Sequence, residues 1–131
     1  MGSALRELAI FPLHAVLFPH GTLRLHVFED RYRRMIRKCL DANEPFGIVL
    51  IREGEEAGSD VAQPYMVGTV ARIVAVDAHD DGSMNIQVTG EGRFRIRHLD
   101  DEPGHLVALV EGVYEHSVRA EDEPDADRIV H

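Results

Sequence analysis

The stretch from Phe11 to Arg33, FPLHAVLFPHGTLRLHVFEDRYR, decides the fold. A first strand is predicted over Leu8–Leu13, and its last residues open this stretch. His14–Thr22 carries a proline and a glycine and is typical of a loop. Apolar and polar residues then alternate over Leu23–Val27, which is the period of a half-buried strand. The segment therefore predicts two strands joined by a loop, with a helix directly after them.

The helix is predicted from one apolar stripe. Its members recur at helical spacing and are Tyr32, Met35, Ile36, Cys39 and Leu40. Basic residues take the other directions, at Arg31, Arg33, Arg34, Arg37 and Lys38. Glu29 is expected to cap the start of this helix and Arg31 or Arg33 to pair with a neighbouring strand. Asn43 and Pro45 are expected to end it.

The rest of the chain reads as short strands separated by turns. The predicted strands are Phe46–Ile51, Val67–Val76, Met84–Val88, Arg93–Arg97 and Leu106–Tyr114. Turns are expected at Asp80–Ser83 and Asp100–Gly104, and Gly90–Gly92 should break a strand with a bulge. The expected fold is mainly β with one or two helices (α+β), a closed or nearly closed small barrel with a helix packed on its side.

Charge and composition narrow the classes of function. The 131 residues carry a net charge of -9, and the acid excess lies after residue 52. Such a protein repels a phosphate backbone at long range, which disfavours general nucleic-acid binding. One cysteine, Cys39, allows no internal disulfide, and no apolar run is long enough for a membrane span. These features predict a cytoplasmic protein.

Residue types needed for common catalytic chemistry are missing or badly placed. Lys38 is the only lysine and no phosphate-binding loop precedes it, which excludes a P-loop and leaves no convincing Ser–Lys dyad. Cys39 lies on the apolar stripe and is expected to be a buried hydrophobe. The eight histidines show no zinc-ligand spacing. The sequence therefore predicts no enzyme activity, no cofactor and no metal site.

Several segments, in order, resemble one family. They are Phe11–Leu13, Val16–Pro19, Leu23–Arg33, Pro45–Ile51, Val67–Ile73 and Gly92–Ile96. The chain resembles the Lon substrate-binding domain family, the N-terminal domain of Lon-type ATP-dependent proteases, which bacteria also have as a separate protein. The likeness covers about Leu8 to Glu115. It implies a PUA-like pseudo-β-barrel that recognises unfolded or damaged polypeptides and performs no chemistry itself.

The chain departs from the family pattern at three positions. The family commonly has glycine where His20 stands, proline where Arg24 stands, and often proline where Asp30 stands. Gly21 is expected to supply the loop freedom lost at His20. The expected organisation is an N-terminal extension or cloning remnant over residues 1–7 and a barrel domain over 8–116. An acidic tail over 117–131 would then begin a missing or shortened helical subdomain.

The expected contact surface is the apolar loop Val16–Pro19, on which a peptide could lay apolar side chains or beside which it could add to an edge strand. The expected substrate-binding residues are Val16, Leu17, Phe18, Pro19, Tyr65 and Met66. The competing interpretation is that Leu17 and Phe18 plug the end of the barrel. Expected partners are unfolded or damaged polypeptides and a protease or chaperone, without a membrane; weak self-association stays open.

Two alternative functions stay open at this stage. PUA-like barrels in other families bind RNA, and Arg93, Arg95 and Arg97 should share one strand face. No exposed aromatic residues are expected to interleave with these arginines for base stacking, which favours a solvated face instead. The other alternative is an adaptor that docks on one specific protein, and the sequence does not distinguish an adaptor from a general polypeptide binder.

Overall fold

The computed structural model describes residues 5–51, 67–102 and 105–112. These residues form six strands and one helix. In chain order they are β1 (Leu5–Leu13), β2 (Thr22–Val27), α1 (Asp30–Ala42), β3 (Phe46–Leu50), β4 (Val67–Ala78), β5 (Met84–Glu102) and β6 (His105–Gly112). The predicted mainly β fold with a helix on its side is confirmed.

Five of the strands close into a barrel. The sheet order is β2-β5-β4-β3-β1-β6, and a further pairing of β5 with β6 joins the two ends. The strands are antiparallel to their neighbours except for β1 and β3, which run parallel. β2 lies outside the closed ring. Its residues Thr22–Val27 pair with the first part of β5, Met84–Thr89. Closure removes most exposed strand edges.

β5 serves two different cores because a bulge lies in its middle. Gly90 pairs with Ala71 and Arg93 with Thr69, so that Glu91 and Gly92 together oppose the single residue between those β4 positions. An extra residue in a strand reverses which face the following side chains take. The even-numbered residues before the bulge therefore face the helix, while Phe94 and those after it face the barrel interior.

The two cores are separate clusters of buried side chains. The helix-side core consists of Phe11, Leu17, Val27, Met35, Ile36, Cys39, Phe46, Ile48, Ala71, Met84, Ile86 and Val88. The barrel core consists of Leu8, Ile10, Val49, Val70, Phe94, Ile96, Ala108 and Val110. Residues of β1, β3 and β4 alternate between the two, because successive side chains on a strand point to opposite faces.

Phe94 fills the barrel core and needs glycine on two neighbouring strands. A Cβ atom at Gly47 would lie 2.7 Å from the Cζ atom of Phe94. A Cβ atom at Gly68 would lie 2.6 Å from that same atom and 2.5 Å from the backbone oxygen of Ile48. Real carbon atoms do not approach this closely, so the ring occupies the space that two side chains would otherwise take.

The helix packs through the expected stripe, with one exception. Met35, Ile36 and Cys39 are buried, whereas Leu40 is 40% exposed. The Tyr32 ring stacks on Phe11 of β1, with ring centroids 4.4 Å apart. Leu40 was expected on the buried face but lies at the edge of the stripe, beyond the side that contacts the sheet.

The ends of the helix match the sequence only in part. Asn43 ends the helix in the left-handed conformation, with φ 56°, as expected for a C-terminal cap. Glu29 occupies the N-cap position, but its side chain makes no capping hydrogen bond and instead pairs with Arg31. Side-chain capping by Glu29 is thus wrong. Arg33 bonds Asp30 and donates to the Asp81 carbonyl in the β4–β5 turn.

Some strand limits also differ from the sequence expectations. β1 begins at Leu5 rather than Leu8, since Leu5 pairs with Glu111 of β6. β5 runs without a break through Gly90–Gly92, so the predicted bulge is confirmed and the predicted interruption is wrong. Asp100 and Asp101, expected in a turn, pair with β6 instead. The expected end of the last strand at Tyr114 lies outside the described residues.

The packing of Phe94 predicts that Gly68→Ala destabilises the protein by about 1–3 kcal/mol, because the added methyl group overpacks the barrel core. Gly92→Ala is the matched control, because a Cβ atom there meets no other atom within 4 Å. Urea unfolding of both variants measures the difference. Equal free energies of unfolding for the two variants would show that Phe94 is not tightly held against Gly68.

Candidate functional site: an apolar loop fixed to the bulged strand

Backbone hydrogen bonds hold the loop between β1 and β2 against β5. The His20 N–H donates to the Gly90 carbonyl and the Gly90 N–H donates to the Gly21 carbonyl, both at 2.9 Å. Within the loop, the Gly21 N–H donates to the Phe18 carbonyl at 2.8 Å. The loop therefore has a defined conformation that is fixed next to the bulge of β5.

Gly90 allows this close approach because it has no side chain. A Cβ atom at this position would collide with the carbonyl oxygen of Phe18 and would lie 3.2 Å from the Cγ atom of Leu17. Any other residue at position 90 would push the loop away from β5. The same short segment of β5 thus holds the loop and carries the bulge.

The turn of the loop is made by His20 and not by the glycine after it. His20 has φ 70°, in the left-handed region, whereas Gly82 is the one glycine with positive φ among the described residues. The expectation that Gly21 supplies the lost freedom is therefore wrong. A histidine in this conformation is held there by the hydrogen bond from its own N–H group to Gly90.

The loop buries one apolar side chain and exposes its two neighbours. Leu17 is 2% exposed and belongs to the helix-side core, as the plug interpretation expects. Val16 is 45% exposed and Phe18 is 48% exposed, and Pro19 is half-buried. Leu17 is thus an anchor, and Val16 and Phe18 form the accessible surface. Tyr65 and Met66, also expected at this site, lie outside the described residues.

Cys39 sits in an environment that suppresses thiol chemistry. The side chain is buried in the helix-side core. Burial and the nearby Glu44 carboxylate raise the pKa of the Cys39 thiol from 9.0 to about 11, because both disfavour the thiolate. A thiol with this pKa is almost wholly protonated at neutral pH and is a poor nucleophile.

The strand arginines do not form a free cationic patch. Arg97 pairs with Glu111 at 3.4 Å, Arg93 is also engaged, and Arg95 is exposed. Farther along the sheet, Arg72 pairs with Glu91 at 2.8 Å. Arginines that are already paired with carboxylates offer less charge to a phosphate backbone, which weakens the RNA-binding alternative.

The histidines of the described residues do not cluster with other possible metal ligands. Among residues 5–51, 67–102 and 105–112, no three His, Cys, Asp or Glu side chains are placed to hold a metal ion. His26 instead bonds the Asn85 amide oxygen through Nδ1 at 2.7 Å and stacks on Phe28. In the part of the chain that the structure describes, no helix is long and apolar enough to cross a membrane.

The candidate site is thus a fixed apolar loop on a closed barrel, with Val16 and Phe18 accessible. The family model for the ATP-dependent protease La (LON) substrate-binding domain matches residues 7–130. The chain belongs to this family.

Curated relatives match over most of the chain. The Lon protease of Anaeromyxobacter dehalogenans is 33% identical over 120 residues, which are 91% of this chain and 14% of the relative. Lon protease 2 of Myxococcus xanthus is 35% identical over 107 residues, 81% of this chain and 13% of the relative. The chain therefore spans about one seventh of the length of these proteases.

Solved structures share the fold. A Lon N-terminal domain protein from Xanthomonas campestris is 32% identical and superposes with a TM-score of 0.73, covering 94% of this chain and 70% of that one. The N-terminal domain of a Lon protease from the Mycobacterium avium complex is 21% identical with a TM-score of 0.65, covering 92% and 61%. The second likeness concerns the fold alone.

The raised pKa of Cys39 predicts a loss of stability at alkaline pH. The unfolded thiol ionises near pH 9.0 and the folded thiol only near 11. The contribution of the buried thiol to the free energy of unfolding is therefore fully present below pH 9. It is lost between about pH 9 and 11, at up to about 1.4 kcal/mol per pH unit.

Urea unfolding from pH 7 to 11 measures this loss of stability. Cys39→Ala should flatten the part of the profile due to the thiol. Tyr32→Phe is the control for the half-buried phenol, whose pKa is also raised by burial. Parallel profiles for the parent protein and Cys39→Ala would contradict the buried thiol.

Proposed function

We propose that this domain is a non-catalytic binding module that captures unfolded or damaged polypeptides through Val16 and Phe18. Membership of a substrate-binding domain family supports this proposal at the level of the class of protein. The observation that carries it is the pair of half-exposed apolar side chains on a loop with a fixed backbone. An unfolded chain exposes apolar segments that a folded protein buries, and such segments can pack against these two side chains.

The fixed backbone favours binding over mere exposure. Apolar groups on an ordered loop lose little conformational entropy when a ligand covers them, so more of the hydrophobic free energy appears as affinity. Leu17 and Gly90 provide this order. Leu17 anchors the loop in the helix-side core, and Gly90 leaves room for the loop backbone against β5. A small exposed apolar surface suits many different sequences, which agrees with a partner defined by its unfolded state.

The relatives supply a context for the captured polypeptide. They are proteases several times longer than this chain, and the chain matches one part of them. We propose that the domain presents polypeptides to a protease or chaperone partner and does not cleave them itself. A cytoplasmic location fits this role. Docking on one specific protein is the second candidate function, and it would use the same exposed apolar residues.

Phe18→Ser should weaken binding of reduced, carboxymethylated α-lactalbumin, a permanently unfolded chain, by about tenfold, which corresponds to about 1.4 kcal/mol. The reason is the loss of apolar surface at the contact. Val74→Ser is the matched control, because Val74 is 54% exposed on β4, a different element. Fluorescence anisotropy of the labelled polypeptide measures both affinities.

Gly90→Ala separates the position of the loop from its composition. This variant keeps Val16 and Phe18 but displaces the loop, and it should weaken binding as Phe18→Ser does. Gly92→Ala, with free space around the added carbon, should bind like the parent protein. Equal weakening by Phe18→Ser and Val74→Ser would mean that general surface hydrophobicity, and not the loop, binds the polypeptide.

A further inference from the structure

β2 is an edge strand on the open side of the sheet. It pairs with β5 on one side, and no strand within the described ranges pairs with its other side. Such an edge carries backbone N–H and C=O groups that water or an added strand must satisfy.

The hydrogen bond between Gly90 and Gly21 shows which β2 groups point outward. In an antiparallel pair, the residues that exchange hydrogen bonds alternate with those that do not. Since Gly21 bonds to Gly90 and the register continues unshifted to Val27, Leu23 and the alternate residues after it bond to β5. The backbone groups that face the open edge belong to Thr22, Arg24 and His26.

Exposed aromatic residues flank β2 in the sequence. Phe18 precedes β2 and is 48% exposed, and Phe28 follows it and is 61% exposed. Phe28 stacks on His26 with ring centroids 5.6 Å apart, which fixes its position beside the strand. The six residues of β2 span about 20 Å. β2 is therefore flanked in the sequence by two exposed aromatic residues, and its own length is that of a short extended peptide.

A single arginine lies between these two aromatic residues in the sequence. Arg24 is exposed in the middle of β2 and forms no ion pair with any other described residue. An acidic residue on an added strand would complement this charge. The cross-strand neighbour of Arg24 on β5 is Gln87, which carries no charge to compete.

We propose that β2 accepts an extended polypeptide as an added strand, with the apolar side chains of the polypeptide at Phe18 and Phe28 and an acidic residue near Arg24. This inference rests on the proposed function, because Phe18 belongs to the capture loop. Strand addition adds a mode of binding that the loop alone does not provide. Backbone hydrogen bonds give affinity for any sequence, while Phe18, Arg24 and Phe28 give a preference for certain side chains. An unfolded polypeptide readily supplies such a strand, since its backbone N–H and C=O groups are not already paired within the polypeptide.

The probe is a fluorescein-labelled peptide, Phe-Thr-Thr-Thr-Glu-Thr-Thr-Thr-Phe, whose Phe and Glu side chains share one face of an extended strand; it is tested on the whole chain by anisotropy. Its first control has N-methyl groups on alternate amides, which remove donors without removing side chains, and should bind at least tenfold more weakly. In its second control, Lys replaces Glu and should bind several-fold more weakly. Arg24→Glu should reverse this charge preference. Equal affinities for the parent peptide and the N-methylated peptide would overturn strand addition.

Two substitutions at one position isolate the backbone donor. Arg24→Val and Arg24→Pro both remove the charge, but only proline also removes an N–H that points to the open edge and makes no bond to β5. Arg24→Pro should bind the peptide at least several-fold more weakly than Arg24→Val does. Urea unfolding verifies that both fold. Equal binding by the two folded variants would contradict the proposal.

Amide hydrogen exchange locates the added strand without any substitution. Saturation with the peptide should slow exchange at Thr22, Arg24 and His26, while Leu23 and Leu25 are already protected by β5. Slowing confined to the loop around Phe18 would overturn strand addition and leave polypeptide capture intact. Absence of binding to both this peptide and unfolded α-lactalbumin would overturn both proposals. Protection without peptide, together with dimers in sedimentation, would identify a second copy as the occupant and reject the proposal.

Discussion

The structure depends on the bulge where Glu91 and Gly92 of β5 together oppose one residue of β4. Without the bulge, the even-numbered apolar residues of β5 would all lie on one face and would serve only one core. The bulge turns β5 over, so that Met84, Ile86 and Val88 support the helix while Phe94 and Ile96 fill the barrel. Both cores are thereby built on one continuous strand, which fixes their positions relative to each other.

The same place on β5 determines what the surface can do. Gly90 accepts the backbone of the loop, and the depth at which Leu17 is buried follows from that contact. Phe18 is exposed because its neighbour is anchored, and β2 leaves the loop along the outer side of β5. The proposed capture surface is therefore a consequence of the scaffold. Backbone hydrogen bonds to one half of β5 hold the apolar loop and the edge strand, and Phe28 follows directly after that strand.

Much of this fold could be predicted from periodicity. The alternation in β2, the helical stripe through Met35, Ile36 and Cys39, and the glycines around Glu91 each indicate the element that the structure contains. The ends of the strands were harder to predict from the sequence, because pairing with β6 extends β1 back to Leu5 and places Asp100 and Asp101 in β5. Local propensity alone favoured a turn at those aspartates, and the partner strand overrides it.

The candidate site was predictable as a segment but not residue by residue. Val16, Leu17 and Phe18 are consecutive apolar residues in a loop, where no period tells which one points inward. The decision depends on Gly90, which is distant in sequence and meets the loop only in the folded protein. His20 illustrates the same limit: the sequence placed the loop freedom at Gly21, and the contact with Gly90 places it at His20.

The central claim is that polypeptides are captured at the loop that Gly90 holds. The most direct measurement places a photoreactive benzoylphenylalanine at position 18, or at position 74 as the control, and illuminates each protein with unfolded α-lactalbumin. The account predicts a crosslinked product from position 18 and little from position 74. Crosslinking from position 74 that equals or exceeds that from position 18 would contradict it.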